Sequence, residues 1–227
     1  MVPRVVPRVV PQLGRLGDHR LMAGARIGLF GGSFDPPHLA HRALARVAMQ
    51  TLALDELRWL PAGAPWQKAG RTLSAATHRL AMLVELLADE PGQVVDEREL
   101  RRSGPSFTID TVRELQAERA DAQWFFILGQ DQYGRFDTWR DWPELLSRLT
   151  LAVAARDGQP PAPPAALSEV AHRLEVLPLP RLDIAASDIR ARVAAGQPIA
   201  ALVGGRIARY IDQHRLYATG AAPSARP

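Results

Sequence analysis

Two histidines three residues apart, His38 and His41, stand in the run Gly31-Gly32-Ser33-Phe34-Asp35-Pro36-Pro37-His38-Leu39-Ala40-His41. On a helix with ~1.5 Å rise per residue they are about 4.5 Å apart along the axis and share a face. The two glycines let the backbone approach a ligand closely and adopt positive φ. Asp35 is placed to cap a following helix, with proline in its first turn. The N–H groups and dipole at such a helix start attract anions. Two imidazoles beside an anion site point to phosphate chemistry. The plain alternative is a tight βα turn carrying two exposed histidines. A zinc site has less support, because His-x-x-His supplies two ligands, no third lies nearby, and the chain has no cysteine.

The flanking segments say how this run is held. The apolar residues 26–30 precede it and read as a buried strand, and Ala40, Ala43, Leu44, Val47 and Ala48 follow at helical spacing. Further strands are expected at 56–60, 94–95, 123–128, 149–155 and 174–179, and helices at 77–88, 108–120, 187–195 and 204–214. In the helix at 77–88 the inward residues are expected to be Leu80, Leu83, Val84 and Leu87. In the helix at 108–120 they are Ile109, Val112 and Leu115. Alternating strands and helices imply an α/β fold with a doubly wound parallel sheet, its ligands beyond the carboxyl ends of the strands. The histidine run follows the first strand, where that rule places a site. Residues 1–25 open with repeated Val-Pro-Arg and are expected to be a disordered extension, with Met22 an alternative start. Residues 26–217 form the domain and 218–227 a flexible tail.

Composition narrows the function further. The 227 residues carry 28 basic and 24 acidic side chains, net +4. Arg4, Arg8, Arg15, Arg20 and Arg226 against Asp18 account for that whole excess. The domain is formally neutral, so charge gives no support to a nucleic-acid partner. The absence of cysteine rules out disulfides and thiolate catalysis, as suits a cytoplasmic protein. No apolar run approaches the ~20 residues that span a bilayer. The chain also lacks the Gly-Lys-Ser/Thr of a P-loop and a Gly-x-Gly-x-x-Gly fingerprint.

Three other stretches could bind ligand. Ser187-Asp188-Ile189-Arg190 opens a helix with a capping hydroxyl and an arginine one turn in. Gly129-Gln130-Asp131 follows the 123–128 strand, where a glycine and a carboxylate can hold ribose hydroxyls, although an ordinary capped turn has the same composition. Phe136-Asp137-Thr138-Trp139 sets an indole among polar residues, where it either packs in the core rim or stacks on a flat ring.

The histidine run resembles the Gly-x-Phe-Asp-Pro-x-His-x-Gly-His signature of the nucleotidyltransferase superfamily, with Ala40 in place of the last glycine. Residues Ile184-Ala185-Ala186-Ser187-Asp188-Ile189-Arg190 resemble its second signature, Ile-Ser-x-Thr-x-Ile-Arg, with Ala185 replacing the first serine. Ser106-Phe107-Thr108-Ile109-Asp110-Thr111, Leu128-Gly129-Gln130-Asp131, Phe136-x-x-Trp139 and Tyr210-Ile211-x-x-His214-x-Leu216-Tyr217 narrow the resemblance to bacterial nicotinate-nucleotide adenylyltransferases. It runs in order over residues 26–217. The resemblance implies a Rossmann-like sheet with a small helical C-terminal part, and transfer of AMP from ATP to nicotinate mononucleotide with Mg²⁺. It gives His38, His41 and Arg190 the catalytic roles. Gly31, Gly32, Ser33, Phe34, Gly129, Asp131, Arg156 and Ser187 join them around ATP. Lys68, Ser106, Phe107, Thr108, Asp131 and Trp139 would meet the mononucleotide. Two rival readings stand beside it. One transfers AMP or CMP to a different small phosphate. The other is a nucleotide-binding regulatory module that has lost catalysis, with Ala40, Gln67 and Ala185 as signs of decay.

Overall fold

The computed structural model describes residues 24–63, 73–155, 159–180 and 182–218. Six strands form one sheet in the order β3-β2-β1-β4-β5-β6, with every neighbouring pair parallel. In chain order they are β1 (Arg26–Gly32), β2 (Glu56–Pro61), β3 (Gln93–Val95), β4 (Gln123–Leu128), β5 (Thr150–Ala154) and β6 (Arg173–Leu177). The helices are α1 (Leu39–Thr51), α2 (Ala76–Leu87), α3 (Arg98–Arg101), α4 (Thr108–Glu118), α5 (Gln130–Tyr133), α6 (Trp142–Arg148), α7 (Ala165–Ser168), α8 (Ala186–Ala194), α9 (Ala200–Val203) and α10 (Gly205–Gln213). Among the described residues no helix is long and apolar enough to cross a membrane. The expected N-terminal extension falls almost wholly outside the described residues, and so does most of the expected tail.

The sheet is doubly wound because a parallel sheet buries both faces. On one face Leu44, Ala48, Leu83, Val203, Ile207 and Ile211 pack under α1, α2 and the C-terminal helices. On the other, Ile109, Val112, Leu115, Leu145 and Leu146 pack under α4 and α6. Chain direction across the sheet reverses between the adjacent strands β1 and β4. Their loops leave toward opposite faces at that point and open a crevice between them.

Three local expectations need correction. Gly31 and Gly32 end β1 and do not form the turn, and neither has positive φ; the left-handed residue is Phe34 at φ 47°. A Cβ on Gly32 would stand 2.9 Å from the Phe34 ring, so the second glycine makes room for that ring. In α1 the buried face is Leu44, Ala45 and Ala48. In α2 it is Arg79, Met82, Leu83, Leu86 and Leu87, while Val84 is 55% exposed and Leu80 half-buried. The stripe is rotated because an arginine occupies it.

Arg79 is 2% exposed. Its Nη1 donates to the carbonyls of Ser33 at 3.0 Å and Ala62 at 2.8 Å, and its Nε to the carbonyl of Ser74 at 3.1 Å. The turns after β1 and β2 and the lead into α2 are thereby tied to one side chain. Arg79→Met preserves bulk but leaves three carbonyls without this donor. It is expected to destabilise the fold by about 3 kcal/mol or more, with stability read from urea unfolding. A midpoint equal to wild type would show the three bonds to be dispensable.

Candidate active site

The crevice between β1 and β4 is a cleft of about 590 Å³. That lies within the ~300–1,000 Å³ usual for small-molecule sites. It is built from strand ends and helix starts. Gly31, Gly32, Ser33, Phe34 and Asp35 line it from the end of β1. His38, Ala40 and His41 line it from the start of α1, Gly129, Gln130 and Asp131 from the start of α5, and Ser106, Thr108 and Trp139 from the far wall. Ile184 and Ala186 border it at the start of α8.

Asp35 is not the cap of α1. That position belongs to His38, whose backbone is extended at φ −149°. Helix α1 starts three residues later than a cap at Asp35 would require, with two prolines intervening. Asp35 instead turns inward, 4% exposed, and its Oδ2 accepts the Ser74 backbone N–H at 3.2 Å. His38 and His41 therefore meet across the first turn of α1. Their rings stack at 3.6 Å between centroids and 25° between planes. His41 Nδ1 accepts the His38 backbone N–H at 3.3 Å, which puts the proton of the neutral ring on Nε2. Phe30 and Phe34 meet His41 edge-on at 5.9 and 5.2 Å, and both rings pack on Trp59. The histidine is thus wedged by aromatic contacts before any ligand arrives.

Burial pushes His38 down from 6.5 to about 4, so its ring is neutral at pH 7. Its Nδ1 is buried with no hydrogen-bond partner among the described residues. An anion placed at the start of α1 would oppose the burial effect and favour the protonated form.

On the far wall Phe107 caps α4, and its carbonyl accepts the N–H groups of Asp110 and Thr111. Helix geometry leaves the N–H groups of Thr108 and Ile109 without partners inside the helix. The Phe107 ring lies under the Arg140 guanidinium at 4.5 Å and is not part of the cleft wall. Trp139 stacks on Phe136 at 5.2 Å and 25° and meets Phe126 edge-on at 5.6 Å. Its Nε1 is also buried without a partner among the described residues.

The second signature is less directly placed. Ala185 caps α8, so Ser187 is inside the helix, exposed, and donates to the Asp188 carboxylate at 3.2 Å. The expected capping hydroxyl comes two residues too late. Arg190 is half-buried, and its Nη1 donates to the Asp35 carbonyl at 2.5 Å. Neither Ser187 nor Arg190 is among the residues forming the cleft wall. Lys68, Gln67 and Arg156 lie outside the described residues.

Several residues of the site escape a reading by motif. Arg79 is one, although its spacing from Met82, Leu83 and Leu86 places it on the apolar stripe of α2. Glu99, 8% exposed, also borders the cleft. Burial pushes its carboxyl up, against the opposing hydrogen bond from Thr111 Oγ1 at 2.9 Å. Gly63 has no side chain because a Cβ would lie 2.1 Å from the Glu99 carbonyl oxygen, so the chain after β2 rests directly on α3. The Gln130 side chain forms two bonds with Ala162, accepting from its N–H at 3.2 Å and donating to its carbonyl at 2.9 Å. This docks the proline-rich segment beside α5.

Residues 29–192 match the cytidylyltransferase-like family model. The chain is 52% identical over 206 residues to a probable nicotinate-nucleotide adenylyltransferase of Methylibium petroleiphilum, covering 88% of this chain and 97% of that one. It is 37% identical over 201 residues to a protein of the same name from Symbiobacterium thermophilum, covering 86% and 97%. Among solved structures it superposes on the Plasmodium falciparum nicotinic acid mononucleotide adenylyltransferase complexed with NaAD, with a TM-score of 0.71 over 85% of this chain and 97% of that one. At 17% identity that likeness concerns the fold alone.

Acid stability should report the burial of His38. As pH falls from 6.5 toward 4, the unfolded chain binds a proton that the folded His38 does not. Stability is then lost through that window and levels off below it. The contribution is on the order of 3 kcal/mol. His38→Gln is expected to remove this part of the acid slope, measured by urea unfolding at several pH values between 4 and 7 (all within about the range where this histidine titrates). Equal slopes in the two proteins would place the titrating histidine elsewhere.

Proposed function

Because the chain belongs to the nicotinate-nucleotide adenylyltransferases of the cytidylyltransferase-like family, we propose that this cleft joins AMP from ATP to nicotinate mononucleotide. The products are nicotinate adenine dinucleotide and pyrophosphate. One observation carries the reading at the level of residues. A single cleft is lined by the stacked histidines at the start of α1 and, on its far wall, by the start of α4 beside Trp139. The first suits a reacting phosphate, the second a flat ring bearing an anion.

The reaction is an in-line displacement. A phosphate oxygen of the mononucleotide forms a bond to the α-phosphorus of ATP, and the bond from that phosphorus to the bridging oxygen breaks, releasing pyrophosphate. A phosphate monoester, with its second pKa near ~6, is ionised at pH 7, so no general base is required. The protein's contribution is positioning and charge stabilisation. His41 would donate from Nε2 to the α-phosphate, since its Nδ1 is already engaged by the His38 N–H. His38 would donate beside it. Gly31, Gly32, Ser33 and Phe34 would border ATP, with Gly129 and Asp131 at a ribose. Arg190 would add positive charge from α8 while its Nη1 holds the Asp35 carbonyl. Ser187, Lys68 and Arg156 keep the roles that the resemblance implies.

Among the described residues no three His, Cys, Asp or Glu are grouped to hold a metal ion. Mg²⁺, as the resemblance implies, would arrive on the substrate phosphates and keep most of its water. Held there, it would supply charge neutralisation for the pyrophosphate leaving group.

Acid against amide is decided on the far wall. The backbone N–H of Thr108 is a donor only, and Ser106 adds a hydroxyl nearby. A carboxylate accepts from them with either oxygen, whereas a carboxamide turns its NH₂ toward one donor and leaves it unpaired. Each buried unpaired donor costs about 1–3 kcal/mol. Nicotinate mononucleotide is therefore expected to exceed nicotinamide mononucleotide in kcat/KM by about a hundredfold or more. Trp139→Ala should weaken both and leave their ratio largely unchanged, because stacking does not distinguish them. Equal kcat/KM values would remove the nicotinate assignment and leave adenylyl transfer standing.

His41→Ala is expected to lower kcat by about two to three powers of ten, as for the loss of one transition-state donor. Pyrophosphate release from ATP and nicotinate mononucleotide measures it. Wild-type turnover in this variant would contradict the role given to the α1 start.

A further inference from the structure

The last described turn of the chain reaches back into the first loop of the site. Tyr217 Oη donates to Asp35 Oδ1 at 2.5 Å, across 182 positions of sequence. Its ring packs on the core under α1 and α10. Burial first, then the bond to the Asp35 carboxylate, pushes the Tyr217 hydroxyl far up, so it is a donor at neutral pH. The backbone at Tyr217 is left-handed, φ 64°. Arg215 is also left-handed, at φ 49°, but it follows the α10 C-cap His214 and is explained by helix termination. Tyr217 lies beyond that position, and a bulky residue is held there only when its surroundings fix it.

Asp35 is the point on which the signature loop hangs. Its Oδ1 takes Tyr217, its Oδ2 takes the Ser74 N–H and its carbonyl takes Arg190. Three residues later the chain reaches His38, whose N–H sets the tautomer of His41. Resting on the adenylyl-transfer reading above, we propose that Tyr217 is a positioning residue for the reaction: through Asp35 it fixes the backbone from which His38 and His41 act.

Tyr217→Phe in the full chain removes the hydroxyl and keeps the ring. It is expected to lower kcat by about tenfold, short of the ~10²-fold loss that a 1 Å misplacement produces. KM for ATP and for nicotinate mononucleotide should stay within about twofold, as for an interaction expressed in the transition state. In a His38→Ala/His41→Ala background the same change should cost nothing further, because Tyr217 acts through the two histidines. A merely structural tyrosine would lower activity by the same factor in both backgrounds, and that result overturns the proposal. So does wild-type kcat in Tyr217→Phe. Nitrogen NMR of the imidazoles gives a readout that needs no turnover. The His38 and His41 signals should move in Tyr217→Phe while those of His172 stay, and unmoved signals overturn the proposal. If wild-type protein releases no pyrophosphate, the adenylyl-transfer reading fails, and the imidazole measurement still decides whether Tyr217 governs the pair. Should Tyr217→Phe fail to fold, Asp35→Asn weakens the same bond from its other end. It must show the same loss of kcat at constant KM, and wild-type kcat there overturns the proposal.

Discussion

Burying the guanidinium of Arg79 carries a desolvation cost, which is offset by three carbonyl oxygens from Ser33, Ala62 and Ser74 that lie outside any strand ladder or helix. Parallel strands end where ligand binds, so the chain just beyond β1 and β2 has no neighbour to complete its hydrogen bonds. One planar cation with a fixed fork of donors can complete several such groups at once. The cleft-lining loop of Ser33, Phe34 and Asp35 is built around this contact. Phe34 accepts a left-handed backbone there, and its ring fills the space that Gly32 leaves open.

From that loop the rest of the site follows by short steps. The prolines delay α1 until His38, and the extended backbone of His38 aims its N–H at the ring of His41. Stacked imidazoles cannot both carry charge without repulsion, and the buried position of His38 keeps it neutral. Neutral rings still donate hydrogen bonds, so the pair can meet a polyanion without first storing two positive charges. The far wall uses the other cheap source of donors, the unpaired N–H groups of a helix start, and sets them beside an indole already braced by Phe126 and Phe136. The division suits two substrates that are both anionic and differ in where the negative charge sits.

Local pattern located the elements well and their faces less well. Apolar runs are buried on both sides in a parallel sheet, so strands such as Gln123–Leu128 stand out of the sequence directly. Helix faces are harder, because a charged residue on the stripe counts against the true orientation. Arg79 misdirected the reading of α2 in this way, and Val84 faces solvent as a result. Short helices such as α3, α5 and α9 have too few residues to show any period. Caps were misplaced for a related reason. Asp35 and Ser187 have the chemistry of caps, but Asp35 is claimed by partners remote in sequence and Ser187 is already the second residue of α8.

The sequence by itself determined the class of fold and the position, after the first strand, of the glycine-to-helix turn that carries His38 and His41 into the cleft. Those are local matters: the period of apolar residues, glycine beside a helix start, and residue types with their spacing. Tertiary structure alone decided what holds that turn in place. Arg79, Arg190 and Tyr217 reach it from 46, 155 and 182 positions away. No local preference marks such partners. They are selected by the hydrogen bonds that the loop cannot complete for itself, and those exist only once the sheet has closed around it.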